Sequence, residues 1–339
     1  MVTYPWQRDI LERLLASRAS LPHALLLQGR QGIGKADFAL ALAKTFLCEG
    51  ASELSSACGH CTACNWFEQG NHPDFRLLES EALSQEKEEA GEGAEGEQRS
   101  GGKKPASKIA VAQVRELRDF INLTTHRNGL RIVVIHPAES MNLQAANALL
   151  KMLEEPPPRT LFMLVSHQPH QLLATIRSRC QQIDMLMPGK ELARAWLQQQ
   201  NVNDADLCLA QAGNAPLLAL SFSSPEYQAQ RKGFLQQIAD PAKMEPLDLA
   251  AKSVKLDLAE VVTWLQKWSC DLLNLRLSGR IFYQLDFESH LRELAKTINL
   301  NRLMSFQQQL LATKRHILHP LNPQLLLEEL FISYSKINE

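Results

Sequence analysis

Hydrophobic residues along this chain follow two different rhythms. His23 to Gln28 (HALLLQ) is a continuous apolar run between Pro22 and Gly29, the signature of a strand buried on both faces. Arg131–Ile135 (RIVVI) and Leu161–Val165 read the same way, and Phe75–Leu78 predicts another strand. Between these runs, apolar positions recur at helical spacing over Ile10–Ala16, Lys35–Leu47, Val111–Ile121, Leu143–Leu153 and Gln171–Ile176. The helix over 143–153 ends at Glu154-Glu155-Pro156-Pro157-Pro158, because proline cannot continue it. Helices alternate with strands to about residue 187, which predicts the α/β class: a parallel sheet with helical layers.

After Pro188 no strand pattern remains. Glu191–Gln200, Asp204–Ala212 and Pro216–Phe222 predict a small helical domain, and everything from Pro225 onward reads as helix. Stripes such as Val261, Val262, Leu265, Trp268, Leu272 and Leu275, or Leu325, Leu326, Leu330 and Phe331, read as core packing. The expected divisions are therefore 1–185, 186–224 and 225–339. One segment breaks the pattern: Glu79–Ser107 is rich in Glu, Gly, Ser and Lys, acidic first and basic later. It has too little apolar surface to order itself and predicts a flexible surface insertion.

Composition narrows the class further. Of 339 residues, 45% are hydrophobic, 22% charged and only 6% aromatic, as in an ordinary globular protein of two or three domains. A net charge of -1 argues against nucleic-acid binding by bulk charge. The longest apolar runs are too short to span a bilayer, and Met1 to Arg8 lacks the apolar core of a signal peptide. A cytoplasmic protein is expected, with its seven cysteines reduced.

Two clusters carry chemistry. Gly29-Arg30-Gln31-Gly32-Ile33-Gly34-Lys35-Ala36 completes the phosphate-loop pattern G-x-x-x-x-G-K-[ST] except at its last position. Gly29, Gly32, Gly34 and Lys35 would cradle phosphates after a strand and before a helix. Ala36, however, lacks the hydroxyl that ligates Mg²⁺. The RIVVI strand is followed by His136-Pro137 where carboxylates should hold the metal and orient water, and Glu139, three residues on, is expected to point elsewhere. The fold of a nucleotide site is predicted without its hydrolytic chemistry; nucleotide could still bind without turnover.

The second cluster is Cys48, Cys58, Cys61 and Cys64, spaced C-x9-C-x2-C-x2-C. In a reducing compartment this predicts a closed, structural zinc site, with His60 and His72 as alternative ligands. Cys180, Cys208 and Cys270 are isolated and read as simple core or surface residues. Finally, Ile176-Arg177-Ser178-Arg179-Cys180 follows the last strand–helix unit, at the edge that in oligomeric P-loop ATPases faces the next subunit. An arginine there can reach that subunit's γ-phosphate.

Taken together, the chain resembles the AAA+ clamp-loader subunits of bacterial replicases. The resemblance rests on the Tyr4-Pro5-Trp6 opening, the four cysteines, Asn147-Ala148-Leu149-Leu150-Lys151 running into Glu154-Glu155-Pro156, and Thr175-Ile176-Arg177-Ser178-Arg179-Cys180. It spans nearly the whole chain and is specific to about residue 185. It implies an AAA+ P-loop domain, a helical lid and a helical collar joining five subunits. In active loader subunits a sensor arginine follows a Gly-Ser pair; here Gly213-Asn214-Ala215-Pro216 puts Pro216 in that place. The resemblance thus implies a non-hydrolysing, stator-like subunit with zinc on the four cysteines. Arg179 would be the arginine finger completing the ATP site of a neighbour. Implied partners are the loader's gamma/tau ATPase subunits and its delta subunit, and through them the sliding clamp and primed DNA. No catalysis by this chain alone is expected, only within a DNA-directed DNA polymerase (nucleotidyltransferase) holoenzyme. The competing expectations are an autonomous P-loop ATPase of replication or repair, against which Ala36, His136 and Pro216 argue, and a zinc-ribbon nucleic-acid reader, against which the near-neutral charge argues.

Overall fold

The computed structural model describes residues 3–50, 56–83, 108–122, 129–241, 243–317 and 322–338. Most of the expected insertion, 84–107, therefore lies outside the described residues. Two compact units follow one another, Met1–Pro188 and Gly189–Glu339.

The first unit is built on five parallel strands, β1 (Ala24–Gln28), β2 (Phe75–Leu78), β3 (Arg131–Ile135), β4 (Thr160–Ser166) and β5 (Gln181–Asp184), in the order β2-β3-β4-β1-β5. Ala24 to Leu27 and all of β3 and β4 are buried, as their unbroken apolar runs require. Successive side chains go to opposite faces. Leu25, Leu27, Ile132, Val134, Met163 and Val165 pack with α1 (Arg8–Ala16) and α2 (Lys35–Leu47). Ala24, Leu26, Val133, Ile135, Phe162 and Leu164 pack with α4 (Val111–Asn122) and α5 (Leu143–Glu154). A short helix, α3 (Thr62–Glu68), lies in the cysteine segment, and α6 (Ala174–Arg177) precedes β5. The parallel P-loop sheet with helical layers, the AAA+ arrangement that the resemblance implies, is thus present.

Three differences from expectation have local causes. β5 escaped prediction because Gln181-Gln182-Ile183-Asp184 is polar and mostly exposed; its place comes from pairing along β1, Leu25↔Gln181 to Gln28↔Asp184. The helix expected over 171–176 is instead a 3₁₀ turn at Pro169–Gln171 followed by α6. The 79–107 segment opens on buried residues, Glu79 and Ser80, held beyond β2; Gln113 Nε2 donates to the Glu79 carbonyl at 3.1 Å.

The second unit is helical throughout its described residues. It holds α7 (Lys190–Gln199), α8 (Ala205–Gln211), α9 (Pro216–Phe222), α10 (Pro225–Ile238), α11 (Pro246–Ser253), α12 (Leu258–Ser278), α13 (Glu288–Thr297), α14 (Leu300–His316) and α15 (Pro323–Ser335). Its core is organised around α12, whose Val261, Val262, Leu265, Trp268 and Leu272 are fully buried with Leu330 and Phe331 of α15. Leu325, by contrast, is exposed in the first turn of α15. The α12 helix starts at Asp257, whose carboxylate accepts from the Glu260 N–H at 2.9 Å, and stops at Gly279, which supplies the left-handed φ of 69° that ends it. A buried network then fixes the following loop. The Asp271 carboxylate accepts from the backbone N–H groups of Phe282, Tyr283 and Gln284, and Arg231 pairs with Asp286 at 2.7 Å and contacts Gln284. No described helix is long and apolar enough to cross a membrane.

Candidate functional site

Parallel register brings the carboxyl ends of β1, β3 and β4 together, the edge where ligands of such sheets bind. Gln28 pairs with Ser166, and Ile135 with Leu164, so the phosphate loop, His136 and His167 converge there from three parts of the chain.

The loop after β1 has the required backbone. Gly29, Gly32 and Gly34 have φ values of 153°, 80° and 81°. Gly34 caps α2 in the left-handed region, and Lys35 opens the helix. The Lys35 side chain is turned onto its own loop: Nζ donates to the carbonyls of Gly29 at 2.7 Å and Arg30 at 2.5 Å. Burial lowers its pKa to about 8, against the nearby Glu139 carboxylate, which raises it. A second set of contacts covers the loop from the chain's start. Gln7, fully buried, donates from Nε2 to the carbonyls of Ile33 at 2.9 Å and Gly34 at 2.8 Å. The Trp6 indole donates to Ile33 O at 3.0 Å, and Tyr4 donates its hydroxyl to Asp37 at 2.9 Å. Burial, reinforced by Asp37, raises the Tyr4 pKa, so the phenol stays a donor. The Tyr4 and Trp6 rings stack at 5.0 Å, and a side chain at Gly34 would run into Tyr4.

Where a metal-binding carboxylate would stand after β3, the His136 imidazole contacts Glu79 Oε1 through Nδ1 at 3.1 Å and His167 Nε2 through Nε2 at 3.3 Å. Burial, then the neighbouring Lys35 and His136, lower the His167 pKa to about 3, so this ring is neutral. Glu139 does not point elsewhere, as expected from its spacing. Its Oε1 accepts the backbone N–H groups of His167 at 2.8 Å and Gln168 at 3.1 Å, beside Lys35. Ala36 has no side-chain oxygen, so the last position of the loop offers Mg²⁺ no hydroxyl.

The four cysteines come together at the end of α2 and around the start of α3. Their Sγ atoms all lie within 4.8 Å of one another. Cys48 and Cys58 are 3.5 Å apart and Cys48 and Cys61 3.8 Å. Thiolates on a tetrahedral Zn²⁺ at about 2.3 Å would sit about 3.8 Å apart, so the donor set fits a closed four-coordinate site. Backbone N–H groups of Cys58 and Cys64 already donate to Cys48 Sγ and Cys61 Sγ. His60 bonds the Cys58 carbonyl, and His72 Nδ1 accepts from the Asp74 N–H, so each imidazole has another partner. Lys44 of α2 pairs with Glu68 of α3 and ties the segment to the sheet domain. Cys180 and Cys208 are buried and Cys270 partly so.

Arg179 lies just beyond α6. Its guanidinium is about one-third exposed, paired with Glu154 at 2.6 Å, and donates to the Thr175 carbonyl at 3.0 Å. Glu154 lines a groove of about 930 Å³ between α4 and α5 that also holds Arg115, Arg118 and Lys151. In the second unit, Pro216 is buried at the start of α9 and presents no cation.

Sequence reasoning did not single out Glu79, His167, Gln7 or Asp37. For His167 a signal existed: it is among the first polar residues past a central strand, beside a phosphate loop.

Two family models match, "DNA polymerase III, delta subunit" over residues 7–188 and "DNA polymerase III, delta subunit, C terminal" over 225–336. The chain is 32% identical to DNA polymerase III subunit delta' of Pseudomonas aeruginosa, with 98% of each chain covered. It is 33% identical to the Escherichia coli subunit of the same name over 67% of this chain and 63% of that one. Among solved structures, a DNA polymerase III gamma subunit-related protein of Thermotoga maritima covers 98% of this chain and 100% of its own at 18% identity and a TM-score of 0.41, a likeness too distant to bear on function. A phosphate loop that lacks its last hydroxyl, a four-thiol cluster and an arginine beyond α6 thus sit on a chain that belongs to the DNA polymerase III delta/delta' subunit family.

Proposed function

We propose that this chain is a non-hydrolysing, stator-like subunit of a bacterial clamp loader, working in the cytoplasm. It supports ATP-dependent placement of the sliding clamp on primed DNA. Its neighbours would be gamma/tau ATPase subunits and a delta subunit in a five-membered assembly, with residues 186–224 as lid and 225–339 as collar. Arg179 would act in trans, stabilising charge on the γ-phosphate held by the adjacent subunit. Zinc on Cys48, Cys58, Cys61 and Cys64 would be structural.

One observation carries the reading. The phosphate loop keeps Gly29, Gly32, Gly34 and Lys35, yet Ala36 has no hydroxyl for Mg²⁺, His136 stands directly after β3, and Lys35 and Gln7 occupy the loop's own carbonyls. Phosphoryl transfer depends on the metal to neutralise developing charge, so a chain so equipped binds at most and does not turn over. Arg179, meanwhile, is partly exposed and held by one carboxylate and the Thr175 carbonyl.

Reconstitution with loader partners tests this. The single chain should show no ATPase activity above background. Arg179→Ala should leave assembly intact and depress DNA-stimulated hydrolysis, by roughly 10³–10⁵ at the one site it serves if arginine-finger magnitudes hold. Unchanged hydrolysis would remove Arg179 from the mechanism, and turnover by the isolated chain at the assembled rate would favour the autonomous ATPase.

A further inference from the structure

His136 and His167 form a pair that neither the phosphate loop nor the cysteine cluster explains. They come from the ends of adjacent strands, their rings are nearly perpendicular at 86°, and their Nε2 atoms face each other at 3.3 Å. We propose that His136 and His167 bind one divalent transition-metal ion of the zinc, cobalt or nickel class between their Nε2 atoms, with Glu79 orienting His136.

The distance is the first argument. Two imidazole nitrogens on a tetrahedral ion, each about 2.0–2.1 Å from it, stand about 3.3–3.4 Å apart. The outer shell is the second argument. A metal-bound histidine characteristically gives its other ring N–H to a carboxylate, and His136 Nδ1 meets the buried Glu79 carboxylate at 3.1 Å. The other ring lacks this support: a metal on His167 Nε2 puts the proton on Nδ1, which is buried without a partner, as is Glu139 Oε2. Charge is also accommodated. Lys35 is a nearby cation, but Glu79 and Glu139 bring two carboxylates to the same pocket. Imidazoles favour zinc-like ions over Mg²⁺, which takes oxygen. With two side-chain ligands, the remaining coordination positions fall to water, so this site binds more weakly than the four thiols.

The test uses the full-length chain with zinc on its cysteines, in chelator-free buffer, titrated with nickel chloride or cobalt chloride by calorimetry and visible absorption. One ion beyond the zinc is expected. His167→Gln should weaken it more than about tenfold, and Glu79→Gln by about 10–100-fold, the usual cost of losing an outer-shell partner. His60→Gln should leave it unchanged. Absence of the extra ion in the wild type overturns the proposal, as does an extra ion that survives unaltered in the His136→Gln, His167→Gln double variant. Should those variants fail to fold, the cobalt form of the wild type decides: hyperfine-shifted N–H signals from two imidazoles support the pair, and their absence refutes it. The readout is metal stoichiometry, so it stands or falls separately from ATP hydrolysis.

Discussion

Lys267 lies on α12 with its amine 4.7 Å from the centre of the Phe222 ring, which stacks on Tyr227 at 4.5 Å. Burial, then the cations Arg231 and Lys314, lower its pKa from 10.5 to about 8, with Glu260 opposing. The drop from 10.5 to about 8 corresponds to about 3 kcal/mol working against the folded state when the amine is charged. Solvent at the partly exposed end of the side chain and the loss of about 0.5–1 kcal/mol of cation–π attraction reduce what a neutral replacement gains. Lys267→Met keeps the packed stem and should stabilise the second unit by about 2 kcal/mol near neutral pH. At about 2–4 °C per kcal/mol for a unit of this size, the melting temperature rises by about 4–8 °C. The sign with pH is fixed. Below about 8 both states hold the proton and the penalty is complete. Between there and 10.5 only the unfolded chain keeps it, so wild-type stability climbs. The advantage of Lys267→Met should therefore shrink as pH rises from about 7.5 to about 10. Tryptophan fluorescence follows this well, because Trp196, Trp264 and Trp268 lie in the second unit. A variant that melts lower than wild type, or a difference that ignores pH, would refute the reasoning.

Replacing Cys61 by Ser should leave a three-thiol site, release zinc measured by mass spectrometry of the native protein, and loosen the 48–64 segment to proteolysis; a wild type free of zinc would end that reading. Gly34→Ala puts a methyl group into the Tyr4 ring at a φ of 81° and should destabilise the first unit by about 1–3 kcal/mol, with faster hydrogen exchange at the Gln7 amide that donates to Tyr4 O. Unaltered exchange would mean that residues 4–7 do not hold the loop. Asp271→Ala strips the acceptor from three backbone N–H groups and should cost about 2–4 kcal/mol in melts of the second unit; a loss below about 0.5 kcal/mol contradicts it.

Much of the fold is legible because burial on both faces leaves a plain mark. β1, β3 and β4 are unbroken apolar runs, and α12 carries a stripe that the core uses as written. β5 leaves no such mark, since a strand paired on one side and open to solvent can be Gln-Gln-Ile-Asp. The cysteine cluster is legible because its chemistry is local, three ligands within seven residues. The histidine pair is not, because 31 residues separate His136 from His167 and only the parallel register of β3 with β4 joins them. Glu139 is hidden for a related reason: its partners are the backbone amides just past β4, which its distance from β3 along the chain does not reveal.

The contact between Arg179 and Glu154 has a bearing on speed. Both groups face solvent, and a pair of this kind is worth about 0–1 kcal/mol. A phosphate arriving from outside offers the guanidinium charge-assisted bonds of about 1.5–3 kcal/mol. The swap is downhill and asks for a rotation of one side chain, with no backbone to rebuild. In the proposed assembly the carboxylate would therefore serve as a holster, keeping the arginine aimed and hydrated between encounters and letting go as a better anion comes within reach.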